Sequence, residues 1–139
     1  KKVFIDIMEE YNLYNPDYVY TGRCISYQEG YNVLRQLLEA PRIPTALLIA
    51  NDTMAIGALR ALHEAKIDVP DQISIIGFND LATSKFLIPP LTTIRVHINI
   101  MAQTAIELLK ERIEKDRKIP KKVLIPSELV VRKSCQKPR

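Results

Sequence analysis

Apolar positions recur along the chain at two spacings that alternate from segment to segment. Val3, Phe4, Ile7, Met8 and Tyr11 fall on one helical stripe, so residues 3–13 are predicted to form the end of a helix that starts upstream. Asn15-Pro16-Asp17 breaks the pattern, and residues 18–21, rich in strand formers, predict a short strand. Residues 26–39 return to the helical period. Tyr31, Leu34, Leu37 and Leu38 form the stripe, and Ser26 with Glu29 gives a capping box.

Residues 45–50 are apolar without a polar face, which predicts a strand buried on both sides of a parallel sheet. Asn51-Asp52 ends that strand and caps a helix reaching about Lys66, with Ala55, Ala58, Leu59 and Leu62 facing inward. A second buried strand at 73–76 ends at Gly77-Phe78-Asn79-Asp80, and a third short strand follows Pro89-Pro90 at 91–96. A long amphipathic helix is predicted from Ile98 to about Glu114. A final strand, or a pair interrupted by Pro126, is predicted over 121–131, and residues 132–139 read as a loose basic tail. Strands alternating with helices predict an α/β fold with a mostly parallel sheet.

At 139 residues, 47% apolar and 26% charged, the chain has the length and balance of one ordinary globular domain. A net charge of +4 is too mild for a dedicated nucleic-acid binder. No apolar run is long enough for a membrane span, and Lys1-Lys2 leads into an amphipathic stretch and not a signal sequence. The chain does not start with Met, so a fragment or processed product is expected. Cys24 and Cys135, far apart, are expected to be free thiols in a reducing cytoplasm.

In an open parallel sheet, ligands bind beyond the carboxyl ends of the strands. Asn51-Asp52 and Asn79-Asp80 both fall there, on successive strands. Asn supplies donors and an acceptor, and Asp a strong acceptor, the mixture a polyhydroxyl ligand needs. Helix capping at the first pair and a simple turn at the second are equally good readings from the residues alone.

Other chemistry finds little support. His63 and His97 have no second ligand at metal spacing, and neither CxxC nor HExxH occurs. Gly22, Gly30, Gly57 and Gly77 are too far apart for a phosphate-cradling loop. None of the serines sits in a nucleophile elbow, so no catalytic residue, metal or cofactor is expected. The stretch 110–122 mixes both signs of charge and reads as a solvated helix end.

Four ordered blocks go further. PTALLIANDTMAIGALRAL at 44–62, VPDQISIIGFND at 69–80, PPLTTIRV at 89–96 and LIPSELVVRKS at 124–134 resemble the lactose/galactose repressor (LacI/GalR) family. ISYQEG at 25–30 resembles the family's segment that opens the helix before the first block. The resemblance implies a periplasmic-binding-protein-like, doubly wound fold. Residues 1–96 and 118–139 would form the C-terminal lobe of an effector-binding core, without its opening strand. Residues 97–117 would cross to the N-terminal lobe, and the helix-turn-helix domain would lie outside this chain.

The resemblance also assigns residues. Asn51, Asp52 and Asn79 fall in the effector cleft, with Ile25 where several members have an aromatic ring. Ile98 and Met101 would line the cleft from the other lobe. An Ile cannot stack on a sugar as a ring does. Met54, on the helix after Asn51-Asp52, and the apolar loop residues Phe86, Leu87 and Ile88 fall at the dimer contact. The implied protein is a cytoplasmic, dimeric, allosteric repressor. It would bind a mono- or disaccharide effector, and operator DNA through its N-terminal domain. A periplasmic sugar-binding receptor of a transporter is the alternative, and an enzyme or phospho-acceptor domain using Asp52 or Asp80 is the third reading.

Overall fold

A computed structural model describes residues 1–21 and 25–137. In chain order these form α1 (Lys2–Glu10), a 3-10 turn (Pro16–Tyr18), α2 (Tyr27–Leu37), β1 (Ala46–Leu48), α3 (Asp52–Glu64) and β2 (Ser74–Asn79). A second 3-10 turn (Ser84–Phe86), β3 (Thr92–Arg95), α4 (Ile98–Glu114) and β4 (Glu128–Val130) follow. The sheet order is β1-β2-β3-β4; the first two pairings are parallel and β3–β4 is antiparallel. The α/β class with a mostly parallel sheet is therefore as expected.

The core lies between α2, α3 and the sheet. Ala55, Ala58, Leu59, Ala61 and Leu62 of α3 pack with Leu34 and Leu37 of α2 and with Ile73, Ile75 and Leu91. Each large side chain so buried contributes about 1.5–3 kcal/mol. The inward stripe predicted for α3 is the observed one. Its side chains are mostly small, so α2 can approach until backbones meet: a Cβ on Gly57 would lie 1.9 Å from the Tyr27 carbonyl oxygen. The Ser26 hydroxyl accepts the Glu29 N–H at 3.1 Å and starts α2 where the capping motif places it.

Several expectations are corrected. Residues 18–21 do not form a strand. Asn15 caps the 3-10 turn by accepting from the Asp17 N–H, and Val19 and Tyr20 pair with no strand. Strand propensity without a hydrogen-bonding neighbour is not enough. For the same reason the run 45–50 yields only the three-residue β1, which is not buried on both faces: Leu48 is exposed and Leu47 half-buried at the sheet edge. The second strand is longer than its apolar run, because pairing with β3 continues through Asn79. Of residues 121–131 only Glu128–Val130 pairs, after Pro126.

The tail, expected to be loose, is docked through residue 136. The Ser134 hydroxyl donates to the Ile75 carbonyl at 2.6 Å and accepts from the Thr92 N–H at 2.8 Å, and the Ser134 carbonyl accepts from the Ile75 N–H. Buried backbone groups of β2 and β3 thereby find the partners they need. Cys135 is a free thiol, half-buried, whereas Cys24 lies outside the described residues. Among the described residues no helix is long and apolar enough to cross a membrane.

Candidate functional site at the carboxyl edge of the sheet

The parallel register sets the site. Leu48 of β1 pairs with Ile76 of β2, so Asn51 and Asn79 each lie three residues beyond one registered pair. They are equivalent positions at the same edge. Asn79 in turn pairs with Arg95 of β3, and Ile98 begins α4 three residues later. A Cβ on Gly30 would meet the Met54 backbone, so the first turn of α2 lies beside the first turn of α3. Ile25, just before the α2 cap, is exposed there.

Asn51 is 9% exposed and caps α3: its Oδ1 accepts the Met54 N–H at 2.8 Å. The cap uses only the oxygen, and the Nδ2 group remains as a donor. The two readings of this residue are thus compatible. Asn79 is half-buried with a φ of 107°, and its side chain makes no hydrogen bond among the described residues. Asn tolerates this left-handed region better than most residues.

Asp52 plays a different part from the one expected. It is completely buried, and three donors converge on its carboxylate. Oδ2 accepts from the Leu81 N–H at 2.8 Å and the Ser84 hydroxyl at 2.6 Å, and Oδ1 accepts from the Thr93 hydroxyl at 2.6 Å. It is a strut tying α3 to β3 and to the loop after β2. Gly77 makes room for it, since a Cβ there would lie 2.2 Å from Oδ1.

Asp80 is tied down on the other side of the same turn, with a φ of 55°. Its Oδ1 accepts from Arg132 Nη2 at 2.6 Å, and its Oδ2 from Arg95 Nε at 2.7 Å. Arg132 also donates to the Leu91 carbonyl, and Arg95 to Glu128. Burial pushes the Asp80 carboxyl up, but the bonds and charges of the two arginines outweigh it and hold it below the usual carboxylate range. Arg95, Arg132, Ser84 and Thr93 were not singled out from the sequence. The available signal was chemical: a carboxylate beside a buried strand needs donors, and the facing strand and the ending of the chain supply them.

Ile98 and Met101 lie exposed on α4, none of whose residues is buried. Phe86 and Ile88 are exposed, Ile88 at 95%, while Leu87 packs against the core. Met54 is half-buried and lines a groove with Tyr18, Val33 and Leu34. His63 is exposed, and among the described residues no cluster of His, Cys, Asp and Glu could hold a metal ion. A groove of about 500 Å³ lies beside β1, between Phe4, Met8 and Gln136, and is lined by neither Asn51 nor Asn79.

A family model described as a periplasmic binding protein-like domain matches residues 1–135. The transcriptional regulator GalR of Lacticaseibacillus casei is 43% identical over 133 residues, covering 94% of this chain and 40% of that protein. The chain thus spans well under half the length of this relative. A LacI family transcriptional regulator from Enterococcus faecium, solved with bound ribose, superposes with a TM-score of 0.84 at 29% identity, over 95% of this chain and 48% of that one. The lac repressor dimer, solved bound to operator and the anti-inducer ONPF, superposes with a TM-score of 0.74 at 36% identity, over 79% and 38% of the two chains. With the fold, the strand-end asparagines and these matches together, the chain belongs to the periplasmic binding protein-like domain family, among the lactose/galactose repressors.

Proposed function

We propose that this chain is the effector-binding and dimer-forming part of a cytoplasmic, DNA-binding transcriptional repressor, and that a mono- or disaccharide binds beside Asn51 and Asn79. The observation that carries this reading is the register. Asparagines stand three residues beyond one registered pair of two parallel strands in a repressor-like fold, and the amide of one, Asn79, makes no hydrogen bond among the described residues.

A sugar hydroxyl donates and accepts at once, and an amide side chain can answer both. Asn79→Ala leaves that hydroxyl unanswered. Exposed Ile25, Ile98 and Met101 are apolar surfaces suited to the C–H face of a sugar ring. Ile25 covers such a face without ring stacking. Asp52 acts behind the site and makes no contact with the effector.

Residues 1–96 and 118–139 act as the C-terminal lobe, and 97–117 cross to the second lobe, which completes the cleft. The exposed Phe86 and Ile88, with Leu87 anchoring their loop to the core, serve as the dimer contact. Met54, half-buried on α3, belongs to the same proposed contact. Operator DNA is held by a domain outside this chain. Effector binding changes operator affinity through a coupling of a few kcal/mol, and operator binding weakens or strengthens the effector by the same factor.

The matched relatives are transcriptional regulators, which favours this reading over a transport receptor. A phospho-acceptor role is disfavoured by the carboxylates themselves, since three donors engage Asp52 and two arginines engage Asp80. The test is fluorescence anisotropy of the full-length protein on DNA from its own promoter region, with and without galactosides, glucosides and ribose. One sugar is expected to shift operator affinity at least about tenfold. Operator binding that no sugar alters would overturn the sugar-sensing role.

A further inference from the structure

The last residue of β2 and the two that follow it are held unevenly. Asp80 is clamped by two arginines, and the Leu81 N–H is bonded to Asp52. The Asn79 side chain has no bond among the described residues, yet its φ is 107° and that of Asp80 is 55°. Two successive non-glycine residues in the left-handed region are strained and persist only where surrounding contacts over-determine them. The Asp80 carboxylate supplies that restraint: its side chain is 9% exposed, and a different arginine bonds each of its oxygens, at 2.6 and 2.7 Å. Arg132 is itself fixed by a second bond, to the Leu91 carbonyl at the start of β3.

We propose that Arg132, with Arg95 beside it, is a positioning residue for effector binding: by clamping Asp80 it holds Asn79 in the left-handed conformation from which its amide meets the effector. This inference rests on the assignment of Asn79 to the effector site. Arg132 touches no ligand in this account and acts through Asn79. Arg95 belongs to the strand leading to α4, and Arg132 follows the strand that returns from it. The clamp therefore ties the effector turn to both strands that join the C-terminal lobe to the rest of the core.

The test is a double-mutant cycle in the full-length protein, read by calorimetric titration of D-galactose, cellobiose and ribose. Arg132→Met is expected to weaken the sugar that binds by roughly ten- to hundredfold, Arg132→Lys by less, and Arg132→Met in an Asn79→Ala background to add almost nothing. Equal losses in both backgrounds would overturn the proposal, because a general structural defect does not depend on Asn79. If Arg132→Met does not fold, Arg95→Met, at a position 42% exposed, completes the same cycle. If the wild type binds none of the three sugars, the sugar assignment fails, and the positioning claim is decided by crystal structures of the Arg132 and Arg95 variants. A relaxed Asn79 φ supports the claim, and an Asn79 φ unchanged near 107° contradicts it.

Discussion

Asp52, at the carboxyl edge of the sheet, has its carboxylate fully engaged by the fold. Three donors depend on it, so Asp52→Ala strands the Leu81 N–H and the Ser84 and Thr93 hydroxyls in a dry environment. The expected cost is about 3 kcal/mol or more, read as a lower midpoint in urea denaturation. Asp80 predicts a pH effect of definite sign. Its folded pKa is depressed, so the stability it contributes is present above its ordinary value near 4 and is lost as pH falls through the folded value. Acid unfolding of Asp80→Asn, followed by circular dichroism, is expected to be less steep below about pH 4 than that of the wild type. The sequence places both asparagine–aspartate pairs at the correct edge, because register follows from parallel strands. It does not distinguish roles within each pair, since that depends on Ser84, Thr93, Arg95 and Arg132, which are distant in sequence.

Helices follow their sequence patterns, α4 included although none of its residues is buried, whereas strands often do not. The α3 stripe and the α2 capping box match because helices make their own hydrogen bonds and find a sheet to pack on. The departures at 18–21, 45–50 and 121–131 are all strands, whose extent is set by how far a neighbour pairs with them and not by propensity: 18–21 pair with none, and 45–50 and 121–131 each pair over only three residues. Residues 132–136 failed in the opposite direction, since hydroxyl and backbone groups of a basic tail complete the β2 and β3 ladders. The α2–α3 contact is close enough to be tested by one methyl group. Gly57→Ala has to separate the helices against the Tyr27 carbonyl. It is expected to cost about 1–3 kcal/mol, as overpacking does, measured by thermal or chemical denaturation.

The molecule as a whole exposes an asparagine edge, an apolar loop and a helix with no buried residue, which the proposed reading assigns to the effector cleft, the dimer contact and the crossing to a second lobe. The loop carries the prediction for assembly. Ile88→Asp places a charge on the most exposed apolar side chain of the proposed contact. It is expected to shift the full-length protein from dimer toward monomer in sedimentation velocity, with its folded circular dichroism retained. An unchanged dimer would place the interface elsewhere. The central claim is that Asn79 meets a sugar effector at the carboxyl edge of the sheet. It is tested most directly by isothermal titration calorimetry of the full-length wild type and Asn79→Ala against galactosides, glucosides and ribose. The account predicts saturable binding of one sugar to the wild type, weakened by about 1–3 kcal/mol in the variant. Equal affinity in the two proteins, or no binding of any sugar to the wild type, would contradict it.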